Sequence, residues 1–221
     1  MNEPRRAFAA EALGLDLPVL LLIGGATGTG KSTVAAEVAY RLGITRITST
    51  DFIRQTMRAF LSHEFMPSIH YSSFEAGDAY PTAESPLEFG FLEQSRHVLV
   101  GLRASMDRAV EESWSMVLEG VHIVPGMVEP RPAEAVVVEC LLSISDRDVH
   151  ERNFTARDAQ SERPLTRYLE RFAEIRQLHD LLVGRAVRAG VPVVENDDPD
   201  EAASLVADLV LDAAERAREG P

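Results

Sequence analysis

Hydrophobic positions along the chain alternate between two textures. Short continuous apolar runs occupy residues 17–23, 44–49, 135–144 and 191–194, and another starts at Ser115 and ends at Glu119-Gly120. Runs this brief, rich in Val, Ile and Leu, predict strands buried on both faces of a parallel sheet. Between them, apolar residues recur three and four apart. Val34, Ala35, Val38, Ala39 and Leu42 do so in 33–42, and Val98, Leu99, Leu102, Met106, Ala109 and Val110 in 94–112. That spacing predicts helices. Others are expected at 52–61, at 165–189 on the stripe Tyr168, Leu169, Phe172, Ile175, Leu178, Leu182 and Val183, and at 200–218. Five strands alternating with helices predict one α/β domain built on a doubly wound parallel sheet with right-handed crossovers. Residues 1–16 read as a short helix or frayed arm without chemistry.

The connection between the first strand and first helix carries the clearest chemistry. Gly25-Ala26-Thr27-Gly28-Thr29-Gly30-Lys31-Ser32 fits the phosphate-loop pattern G-x-x-x-x-G-K-[ST], and Thr33 continues it into the helix. Glycines let successive N–H groups curl around one anion, and the helix start adds its positive dipole end. Lys31 is expected on the β- and γ-phosphates of ATP, with the Ser32 hydroxyl on Mg²⁺. Lys31 is also the single lysine among 22 basic residues. A compact point charge stands where one is wanted, and planar arginine forks serve everywhere else.

Composition narrows the partners. A net charge of −13 weighs against nucleic acid and anionic membranes, so an anionic small-molecule substrate must be drawn by a local arginine cluster. Cys140 is the one cysteine and lies in an apolar run, which reads as a buried, inert thiol in a reducing cytoplasm. The first residues lack the apolar core of a secretory signal, and no apolar run approaches the ~18 residues of a membrane span. A homodimer is left open.

Other candidates follow along the chain. Asp51 ends the second strand, where it reads either as a helix cap or as a carboxylate orienting an acceptor hydroxyl at the strand's carboxyl edge. Arg54 and Arg58 share a helix face that points either into the same crevice or to solvent. The irregular stretch 62–93, with Pro67, Pro81, Pro86, Gly77 and Gly90, is read as an acceptor-binding insertion, with Tyr71, Ser72 and Ser73 as donors to an anion. Glu119 has the placement of a Walker B carboxylate that holds Mg²⁺ through water. His122 beside it is either a substrate contact or hydrogen-bonded structure. Residues 147–165 are arginine-rich and interleaved with acids. They read as a lid, Arg152 and Arg157 closing over the phosphates, or else as a salt-bridged surface helix. Asn196 at the edge of the last strand is a further nucleotide-site candidate.

Gly24 to Thr33, Ser49-Thr50-Asp51-Phe52-Ile53-Arg54, His70-Tyr71-Ser72-Ser73, the block Glu119 to Gly126 and His150-Glu151-Arg152-Asn153-Phe154 together resemble the 2-phosphoglycerate kinases, over about residues 18–197. The resemblance implies a nucleoside-kinase-like P-loop fold with strand order 2-3-1-4-5. It also implies ATP-dependent phosphorylation of 2-phosphoglycerate to 2,3-bisphosphoglycerate, with Lys31 and Ser32 serving ATP and Mg²⁺, Asp51 at the acceptor and Arg152 in the lid. A P-loop kinase of a sugar acid, an antibiotic precursor or a nucleotide is the alternative, and a non-catalytic nucleotide-binding protein a more distant one.

Overall fold

The computed structural model describes residues 17–128, 133–158 and 165–219; the arm expected at 1–16 lies outside them. Five strands, β1 (Val19–Gly24), β2 (Ile47–Ser49), β3 (Met116–Glu119), β4 (Val136–Ser143) and β5 (Val193–Glu195), form one sheet in the order β2-β3-β1-β4-β5. Every pairing is parallel. The order expected from the resemblance is therefore the one found.

The all-apolar β1 has a physical reason: it is covered on both faces. Val19, Leu21 and Ile23 pack with Val34 and Val38 of helix α1 (Lys31–Arg41), and with Val206 and Val210 of the closing helix Pro199–Glu219. Leu20 and Leu22 point the other way, onto Ile53 of α2 (Thr50–Phe60) and onto Val98, Leu102 and Met106 of α3 (Pro86–Glu111). A third cluster packs Phe74 and Phe91 against Phe154 of α4 (Arg147–Asp158) and Phe172 and Leu178 of helix Phe172–Ala189. Cys140 is buried, and burial pushes its thiol up to about 12, so it is inert. Among the described residues no helix is long and apolar enough to cross a membrane.

Three expectations need correction. Helix α3 begins at Pro86, eight residues before the expected start, so the insertion is shorter than 62–93 and contains two 3₁₀ turns, Pro67–His70 and Ser73–Ala79. Pro86 occupies the first turn, where its missing N–H costs nothing. Gly90 lies within the helix at a point where the Ala76 backbone crosses too close for any side chain. Next, the helix expected over 165–189 is two, α5 (Leu165–Glu170) and α6 (Phe172–Ala189), with Arg171 between them at φ −110° and ψ 20°. Finally, the cap of α2 is Ser49, whose Oγ accepts from Phe52 N at 3.0 Å. Asp51 is thus released from capping and sits in the first helical turn, where its side chain accepts from Arg54 Nε at 3.3 Å.

Candidate active site

Strand order brings the chemistry together. Ser49 and Ile23 both pair with Glu119 in the sheet, so the carboxyl ends of β2, β3 and β1 lie side by side. Open α/β sheets place ligands at that edge. The phosphate loop leaves β1 here, Glu119 ends β3, and Asp51 follows β2.

The loop is shaped by its own bonds. Lys31 Nζ donates to Ala26 O at 2.7 Å, and Thr29 Oγ1 donates to the same carbonyl at 3.0 Å. Gly28 has φ +89°, and a Cβ there would come within 2.5 Å of Phe154 Cζ, so both backbone shape and packing require glycine. Ser32 Oγ donates to Glu119 Oε1 at 3.1 Å. A hydroxyl beside a carboxylate is a pair of hard oxygens that could hold a divalent cation such as Mg²⁺ next to phosphate.

Two cavities meet at this edge. One, about 250 Å³, is lined by Thr27, Gly28, Lys31, Ser32, Ser49, Asp51, Glu119, Gly120, Val121 and Tyr168. The other, about 280 Å³, is lined by Thr27, Asp51, Arg54, Gln55, Arg58, His70, Ser72, Ser73, Phe74, Arg167 and Tyr168. The second is at the small end for ligand pockets and carries three guanidinium groups, which suits a small anionic metabolite. Asp51 lines both. Partial loss of water around it would alone raise its carboxyl; His122, Arg54 and Lys31 act against that and leave it below its ordinary value. Of these three, Arg54 and Lys31 carry charge at neutral pH, whereas burial pushes His122 down to about 3 and keeps it neutral. Asp51 is therefore a carboxylate at neutral pH, with acceptor capacity only.

The remaining candidates divide sharply. Arg54 is buried and bonds Ile69 O at 2.9 Å, Tyr71 O at 2.8 Å and Asp51 Oδ1 at 3.3 Å, so it ties the insertion to α2 while facing the second cavity. Arg58, Ser72 and Ser73 line that cavity. Tyr71 does not: its ring lies 5.8 Å from His63, and only its carbonyl takes part, as acceptor from Arg54 and Gln94. The substrate reading of His122 also fails. It is fully buried, and its Nδ1 accepts from Thr50 Oγ1 at 2.9 Å while Nε2 donates to Gln94 Oε1 at 2.9 Å, leaving neither nitrogen for a ligand. Asn196 is buried beneath the loop, with Nδ2 on Thr29 O at 2.8 Å. Among the lid arginines, Arg147 lies over the Phe172 ring at 5.1 Å, Arg152 is exposed and lines neither cavity, and the side chain of Arg157 lies outside the described residues.

Sequence reasoning missed Arg167 and Tyr168. Arg167 reaches from α5 to Glu75, which holds it by two bonds, and to Ser72 Oγ at 3.2 Å. Tyr168 stacks on Phe154 at 5.3 Å, contacts Phe74 at 5.7 Å and borders both cavities. In the sequence Arg167 is one of a regular series of arginines among acids, indistinguishable from a solvated face.

The neutral histidines have a measurable consequence. Burial pushes His150 down to about 4, with His179, Arg176 and Lys31 also disfavouring its charge against the pull of the Thr27 carbonyl. For His122 and His150 the folded value lies below the unfolded one near 6.5, so the unfolded chain takes protons first as pH falls. Their stabilisation is complete above about pH 6.5 and is lost on acidification towards pH 4. Thermal unfolding should show a plateau above pH 7 and a loss of roughly 2 kcal/mol per histidine at pH 5. A melting temperature unchanged between pH 7 and pH 5 contradicts the neutral assignment.

No family model matches the chain. Among curated proteins, the chain is 39% identical over 198 residues to the 2-phosphoglycerate kinase of Methanopyrus kandleri, covering 87% of this chain and 61% of that protein. It is 40% identical over 209 residues to the 2-phosphoglycerate kinase of Thermococcus kodakarensis, covering 93% of this chain and 71% of that protein. The chain thus spans about six to seven tenths of the length of these relatives. Among solved structures it is similar to shikimate kinase from Acinetobacter baumannii, with 18% identity, a TM-score of 0.45 and coverage of 89% of this chain and 94% of that one.

Proposed function

This chain belongs to the 2-phosphoglycerate kinase family, and from that premise we propose that it transfers the γ-phosphate of ATP to the hydroxyl of 2-phosphoglycerate, giving 2,3-bisphosphoglycerate and ADP. The observation that carries the reading is the double placement of Asp51, which borders the cavity beside the phosphate loop and the arginine-lined cavity next to it. A group transferred between two bound molecules must cross such a junction.

The chemistry follows from the walls. The acceptor hydroxyl oxygen forms a bond to the γ-phosphorus, the bond to the β,γ-bridging oxygen breaks, and the hydroxyl proton passes to Asp51. The transition state is loose, so orientation by a carboxylate matters more than early proton removal, and a lowered pKa is no obstacle. Lys31 meets the charge on the phosphates. Ser32 and Glu119 would hold Mg²⁺, which when bound would supply positive charge against the triphosphate. Phosphate and carboxylate of the acceptor fall to Arg54, Arg58 and Arg167, with Ser72 and Ser73 as further donors.

The test is a screen of small acids with ATP and magnesium, read by ³¹P NMR. Incubation with 2-phosphoglycerate should yield a second phosphomonoester resonance matching 2,3-bisphosphoglycerate. Transfer to a different acid and not to this one overturns the substrate, and transfer to none overturns the kinase reading. Arg167 can be tested separately. Arg167→Ala should raise the KM of the acceptor about tenfold, the lower end for a charge-assisted bond because the side chain is half exposed, and leave the KM of ATP within twofold. An unmoved acceptor KM removes Arg167 from the site.

A further inference from the structure

Three successive carbonyls of the phosphate loop are each taken by a side chain from a distant part of the sequence. His150 Nε2 donates to Thr27 O at 2.8 Å, Asn153 Nδ2 to Gly28 O at 3.1 Å and Asn196 Nδ2 to Thr29 O at 2.8 Å. The histidine's state is fixed twice over. A carbonyl only accepts, so Nε2 carries the hydrogen; Arg176 only donates, and it approaches Nδ1 at 3.3 Å. Arg176 is itself anchored on Ile144 O at 2.7 Å, at the carboxyl end of β4.

A trans peptide points its C=O and the following N–H in opposite directions. Holding the carbonyls of Thr27 and Thr29 therefore turns the N–H groups of Gly28 and Gly30 away from those donors, while the Thr29 N–H closes a turn on Ala26 O at 3.4 Å. A glycine-rich loop has many alternative shapes, and fixing its peptide planes before a ligand arrives removes an ordering cost from binding. Two of the three donors lie one turn apart on α4, and Phe154 from the same helix fills the space that a side chain at Gly28 would need.

We propose that His150, Asn153 and Asn196 are positioning residues that set the phosphate loop in its triphosphate-ready form, and that the docking of α4 and the binding of ATP are thereby coupled. The start of the segment expected to be a lid is on this view a buttress of the loop. Thermodynamic reciprocity then applies: whatever docked α4 adds to triphosphate affinity, bound triphosphate adds to the docking of α4. The inference rests on the nucleotide half of the proposed function and not on the identity of the acceptor.

The experiment uses the full chain and ATP with magnesium, measured by calorimetry, with adenosine as the phosphate-free control. Asn153→Asp keeps the shape and replaces the donor by an oxygen that repels Gly28 O. It should weaken ATP at least tenfold and leave adenosine affinity within twofold. His150→Gln, whose amide nitrogen can reach the same carbonyl, should retain more ATP affinity than His150→Leu. In the unaltered protein, ATP should slow hydrogen exchange across Arg147–Phe154. A variant that melts earlier yet binds ATP as tightly as the unaltered chain would make the contacts merely structural and overturn the proposal. So would ATP protection confined to residues 25–33. If the unaltered protein fails to bind ATP at all, the proposed function itself falls; intact binding with unmoved variants sinks this inference alone.

Discussion

Lys31→Ala should lower turnover by at least about 10³-fold while shifting the melting temperature by only a few degrees. The ammonium is almost fully buried at the floor of the first cavity, where it bonds Ala26 O at 2.7 Å. In a water-poor site a charge aimed at developing phosphate charge is worth far more than at a surface, and loss of even one such donor typically costs 10²–10³ in rate. Lys31→Arg should not rescue, because a planar fork on a longer stem cannot occupy the space of a compact ammonium. Near-normal turnover of either variant in a coupled ADP-release assay would overturn the assignment of the loop.

The second large effect is expected at Asp51. Asp51→Asn keeps the size of the side chain and an oxygen for Arg54 but removes the charge proposed to take the acceptor proton. kcat should fall about 10³-fold, within the range of positioned acid–base groups, and the affinity for ATP should change by less than threefold. The carboxylate is more than half exposed and borders both cavities, so the loss should appear in turnover and not in folding. A kcat that survives the substitution would reduce Asp51 to a surface partner of Arg54.

The legible part of the molecule was the part governed by periodicity and by backbone chemistry. The apolar run 17–23, the glycines after it and the stripe from Val34 to Leu42 each imply the next, because a buried parallel strand must be followed by a turn and a covering helix. Asp51 was legible as a carboxylate at a strand end, but its cap was not, since Ser49, Thr50 and Asp51 are all good caps and only geometry decides among them. His122 misled because a histidine beside an acidic strand end reads the same whether it faces a ligand or, as here, Thr50 and Gln94. Pro86 and Gly90 disguised the start of α3, since residues that break helices in isolation are tolerated in the first turn or under a crossing backbone. Arg167 was hidden by pairing over long range: its partner Glu75 lies 92 residues away, and no local spacing announces it.

One compositional feature carries through to chemical biology. Within these 221 residues the only side-chain amine is Lys31. Amine-directed acylating reagents consequently have one side-chain target, and it is the residue proposed to meet the nucleotide phosphates. A single mass increment on that residue, suppressed by nucleotide, would serve as an occupancy reporter without any engineered label. For the same reason, any acetylation or isopeptide tagging of a lysine in this sequence must fall on Lys31 and is expected to remove the charge proposed to meet the phosphates.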